Sequence, residues 1–91
     1  MNYTISIDYK GSTICLKLNL PPSVSLVINN IVRDQQSAAS GSDVGFYLST
    51  TVQVGYEEHE LIEGRVSYHA DIIRTSLTAN GVELLNETIN T

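Results

Sequence analysis

The chain is predicted to fold as an α+β domain: an antiparallel β-sheet of five or six strands with one helix packed on one face, in the order ββαβββ(β). Three observations lead there. Apolar and polar residues alternate through most of the chain, one segment breaks that alternation at helical spacing, and Asn80-Gly81 separates two apolar-patterned runs. Ninety-one residues make a single domain, 1–91, whose folding buries only roughly 60–65% of the surface the unfolded chain exposes. The core is therefore thin, and association is a direct way to add buried area.

The first two strands come from NYTISID, with Tyr3, Ile5 and Ile7 on one face, and TICLKLNL, with Ile14, Leu16, Leu18 and Leu20 on one face. The Gly-containing turn KGS between them makes a hairpin. PPS then stops the strand, and Ser23 is read as a helix N-cap. In VSLVINNIVRDQQ, Val24, Val27, Ile28, Ile31 and Val32 recur at three- and four-residue steps, while strict alternation fails at Val27-Ile28 and Ile31-Val32. That pattern predicts the helix, lying across the sheet by its apolar stripe.

SAASGSD, residues 37–43, is small and polar and reads as a surface loop. Beyond it, Val44, Phe46, Leu48, Thr50, Val52 and Val54 share one face of a long strand, with Tyr47 and Ser49 on the other. Val66, Tyr68, Ala70 and Ile72 share a parity that switches at Ile73, Thr75, Leu77 and Ala79. A bulge, a bent strand or a break between two strands would each produce such a switch. Asn80-Gly81 supplies the two positive-φ residues of a type I′ turn and defines the C-terminal hairpin.

Composition narrows the function. Ten acids against five bases give a net charge of −5, and Lys10, Lys17, Arg33, Arg65 and Arg74 form no stripe able to neutralise several phosphates. Direct nucleic-acid binding is not expected. No run of about 18 apolar residues appears, and MNYTISIDYKG lacks the blocks of a signal peptide, so the expectation is a cytoplasmic protein without a membrane partner. The single cysteine, Cys15, has no internal disulfide partner.

The segment YEEHELIEGRVSYH, residues 56–69, holds both histidines and four of the six glutamates. A hairpin centred on Gly64 would set His59 against His69 near Glu57, a donor set able to hold zinc. Turn chemistry disfavours that hairpin, HExxH is absent, and neighbouring acids on a strand point to alternate faces. Ser67 and His69 share a face but bring no nucleophile elbow. No catalytic residue, metal ligand or cofactor is assigned.

Five tyrosines against one phenylalanine favour half-buried contact surfaces. The expected function is a non-catalytic protein–protein interaction module, homo-oligomeric through sheet edges or a sheet face. A phage or mobile-element protein acting on a host protein is one such setting. Tyr47, Glu57, Glu58, Glu60 and Glu63 are the expected interaction residues, the acids steering a basic protein partner. The alternatives are a small-ligand binder with Tyr68, His69 and Arg74 at a protomer-interface pocket, and an acid/base or metal-dependent enzyme using the 57–69 region.

Overall fold

The computed structural model describes residues 2–19, 22–38, 43–55 and 58–90. Within them the chain is all-β: β1 (Asn2–Tyr9), β2 (Ser12–Asn19), β3 (Ser23–Ile28), β4 (Ile31–Ser37), β5 (Val44–Gly55), β6 (Glu58–His69), β7 (Ile72–Ala79) and β8 (Val82–Asn90). They form two antiparallel meanders, β1-β2-β3-β4 (sheet A) and β5-β6-β7-β8 (sheet B). The α+β expectation is thereby corrected, because the segment read as the covering helix is β3, a turn and β4.

Turn chemistry explains the difference. Asn29 and Asn30 hold φ of 50° and 67°, the left-handed pair that a two-residue hairpin requires and that asparagine tolerates. Such a turn makes cross-strand partners sum to an odd number, so the inward parity flips from one strand to the next. Val24, Leu26 and Ile28 face the core, whereas Val27 points to the opposite face of the sheet, where it is covered although its partners are Cys15 and Val32. The apolar doublets that broke alternation thus record two strands and a turn, and the helical spacing across them was coincidental.

The same device recurs. Lys10-Gly11 (φ 47° and 83°) joins β1 to β2, and Asn80-Gly81 (φ 49° and 82°) joins β7 to β8 as the sequence predicts. The parity switch before Ile73 is a turn at Ala70-Asp71 between β6 and β7, where Ala70 sits at φ 51°. That conformation costs an alanine roughly 1–2 kcal/mol.

Sheet A takes the place of the helix as the cover of sheet B. Ile5, Ile14, Leu16, Leu18, Val24, Leu26 and Ile28 pack into one core with Phe46, Leu48, Val52, Ile62, Val66, Ile73 and Leu77. The layers approach closely at Gly64, where a Cβ would lie 3.1 Å from Cδ2 of the fully buried Leu16. Tyr68 ties them further: its ring packs edge-on against Phe46 of its own sheet at 5.8 Å, and its hydroxyl proton is shared between the carbonyls of Asn19 (3.3 Å) and Ser23 (3.2 Å) in sheet A.

Along one side, side chains join the sheets without a backbone ladder. Asp34 and Gln36 lie on the inner face of edge strand β4, opposite Leu26 and Val24. The Asp34 carboxylate accepts from the Ser49 N–H (3.1 Å), and the Gln36 amide donates to the Tyr47 carbonyl (2.7 Å), both groups of edge strand β5.

Two substitutions test this packing. Gly64→Val is expected to destabilise the fold by about 1–3 kcal/mol through overpacking, and Leu16→Ala in the same chain to recover part of that loss in a denaturant double-mutant cycle. Ala70→Gly is expected to raise stability by roughly 0.5–1 kcal/mol, because glycine enters the left-handed region without Cβ strain.

Candidate functional site

Odd-numbered residues of β6 and even-numbered residues of β7 face away from the core, so the hairpin register assembles the outer face of sheet B in rows. One row is Gly45, Ser67, Arg74 and Thr88; the next is Tyr47, Arg65, Ser76 and Asn86. Between them lies a groove of about 440 Å³, lined by residues that include Gly45, Tyr47, Arg65, Ser67, Arg74 and Asn86. Gly45 lines the groove without a side chain, and the space a Cβ would enter there is empty to 4 Å.

The wall is pre-organised. Tyr47, 46% exposed, donates its hydroxyl to Glu63 Oε2 at 2.5 Å. The Arg65 guanidinium lies 5.1 Å from the Tyr47 ring centroid and 3.3 Å from the same carboxylate. The Glu63 carboxylate, first by this hydrogen bond, holds the Tyr47 hydroxyl above the usual tyrosine value. Arg74, across the groove, pairs with no acid among the described residues. Two of the five basic residues of an acidic chain therefore converge on one sheet face, as diagonal neighbours on adjacent strands.

A second, smaller hollow of about 250 Å³ continues past Ser67 and Arg74 to His69 and Ile72. His69 Nδ1 lies 2.9 Å from Asp43 Oδ2, so an acid does orient the imidazole. Both side chains are mostly exposed, and no hydrogen bond joins Ser67 to His69 among the described residues. The step that would activate a serine nucleophile is not formed.

The acids expected to make one surface are dispersed. Glu57 lies outside the described residues, and Glu58 is exposed at the start of β6. Glu60 faces inward, 8% exposed, and pairs with Lys10 from the β1-β2 turn. Lys10, ahead of Tyr9, holds the Glu60 carboxyl below the usual range; the carboxylate in turn raises the Lys10 and Tyr9 values. Glu63 is engaged by Tyr47 and Arg65. His59 and His69 occupy opposite ends of the single strand β6, roughly 30 Å apart along it. Among the described residues no three His, Cys, Asp or Glu side chains cluster as metal ligands.

The trio Tyr68, His69 and Arg74 divides between faces. His69 and Arg74 flank Ser67 outside, whereas Tyr68 is buried between the sheets, and burial pushes its hydroxyl value up. Sequence patterning singles out Ser67 only as a nucleophile candidate beside His69, and gives no signal for Gly45, Arg65, Ser76 and Asn86 at this site. Alternation places Tyr47 outside, but only the β5-β6 and β6-β7 registers bring Arg65 and Arg74 together.

Fold and site together define a two-sheet antiparallel β-sandwich with a tyrosine- and arginine-walled groove on one outer face. No protein-family model, curated protein or solved structure matches the chain. Among the described residues no helix is long and apolar enough to cross a membrane.

The Lys10-Glu60 pair has a testable pH dependence. A lowered folded-state carboxyl value stabilises fully above the unfolded value, about 4.3, and that contribution is lost as pH falls through the folded value. Wild type is expected to exceed Glu60→Gln in stability at neutral pH, with the gap closing under acid in urea titrations across pH 7 to 2.

Proposed function

We propose that this protein is a non-catalytic, cytoplasmic interaction module that receives a protein partner on the outer face of sheet B. The observation that carries the reading is the groove, in which Tyr47 and Arg65 are held in place by Glu63 while Arg74 stands opposite with no acid partner among the described residues. Tyrosine and arginine dominate binding hot spots because each offers a large contact area ending in hydrogen-bond donors. Rigid anchors also lose little side-chain freedom on binding.

Arg74 suits a partner segment presenting a carboxylate, with Ser67, Ser76 and Asn86 as further polar contacts. A basic partner draws less support, since Glu60 and Glu63 are already engaged within the chain. A small-ligand reading uses the same groove, whose volume of about 440 Å³ lies in the range small molecules occupy. A sheet face encloses a ligand on one side only, which favours a macromolecular surface.

Quantitative affinity capture from the native source, with wild type and Arg74→Glu as baits, tests the proposal. The partner's affinity is expected to fall about thirtyfold or more on charge reversal, the scale of a ~2 kcal/mol hot spot. Equal capture by both baits would overturn it. A discrete small molecule retained in native mass spectrometry without any protein would favour the second reading.

A further inference from the structure

We infer that β1 is a self-complementary edge through which two copies of this chain pair antiparallel, joining their A sheets into one continuous sheet. Among the described residues four strands end the two sheets: β1, β4, β5 and β8. Three of them carry a break in register, β4 opposite Leu26/Val27, β5 at Gln53/Gly55 and β8 opposite Leu77/Thr78. β8 also turns the charged Glu87 toward the inner face, opposite Thr75. Bulges and inward charges are the devices that keep sheet edges from pairing.

β1 has neither. It pairs with β2 without interruption over all eight residues, it contains no proline, and its inner face is Tyr3, Ile5, Ile7 and Tyr9. Its one charge, Asp8, faces outward and accepts from Thr13 of its own hairpin at 3.0 Å.

Backbone polarity sets the register. The two-residue turn at Lys10-Gly11 makes Tyr9 and Ser12 a hydrogen-bonded pair, and antiparallel pairs alternate from there. Odd residues of β1 therefore bond β2, and Asn2, Thr4, Ser6 and Asp8 direct N–H and C=O outward. A second β1 satisfies all of them when Asn2 lies opposite Asp8 and Thr4 opposite Ser6. Tyr3 then meets Ile7 and Ile5 meets its own copy on the inner face. Amide faces carboxylate, hydroxyl faces hydroxyl, aromatic faces β-branched, and no like charges oppose one another. β1 belongs to the sheet that does not form the groove, so this pairing stands independently of partner docking.

The test uses the full chain with Cys15→Ser. Mixed Thr4→Cys and Ser6→Cys chains are expected to form an intermolecular disulfide on oxidation, because directly opposed residues lie about 5.5 Å apart at Cα, within disulfide reach. Either variant alone is expected to cross-link at least tenfold less. Ser6→Pro removes only an outward N–H, so it is expected to keep the wild-type circular dichroism spectrum while weakening dimerisation at least tenfold in sedimentation equilibrium. A wild-type chain that stays monomeric to millimolar concentration would overturn the inference. Efficient cross-linking by Ser6→Cys alone would overturn the register.

Discussion

A sheet ends wherever a strand leaves a row of N–H and C=O groups without a neighbour, and two four-stranded meanders leave four such rows. In water those rows stay hydrated, but they also template unwanted pairing. Here each edge is handled differently. Between β4 and β5, Asp34 and Gln36 reach across the layers to Ser49 and Tyr47, closing one side of the sandwich with side chains. β8 carries a register break and Glu87, and β1 alone continues without interruption. Because Asp34 is both charged and engaged, it excludes another strand from β4 while it fastens β5.

The two-residue turns that fix these edges also place the groove. Each turn inverts parity, so Arg65 on β6 and Arg74 on β7 share the outer face although their numbers differ in parity. Tyr47 joins them because β5 pairs with β6 in the register that sets it opposite Arg65. Two of the ten acids are meanwhile drawn into local pairs, Glu60 with Lys10 and Glu63 with Tyr47 and Arg65. An acidic chain thus presents a groove lined by two arginines, which net charge alone would not indicate.

Legibility in the sequence followed the locality of the signal. Asn80-Gly81 and Lys10-Gly11 lie between alternating runs, and the hairpins they define could be read directly. Asn29-Asn30 is equally local, yet apolar residues on either side of it fell at three- and four-residue steps and masked the turn. Ala70-Asp71 left only a parity switch, because alanine carries no turn signal and is held at positive φ by the strands it joins. The second layer could not be read at all: a helix and a sheet are equally good covers for one apolar face. Of the site, Tyr47, His69 and Arg74 were within reach of alternation, whereas the meeting of Arg65 with Arg74 and the cross-layer reach of Asp34 depend on pairings distant in sequence.

Residue-resolved amide hydrogen exchange on the dilute protein tests the edge account most directly. The Ser49 amide, bonded by Asp34, is expected to exchange slowly although β5 is an edge strand, while the outward Thr4 and Ser6 amides of β1 exchange near the rate of free peptide. A Ser49 amide as fast as Ser6, or β1 amides protected at every concentration, would contradict a sandwich closed by side chains on one side and open along β1.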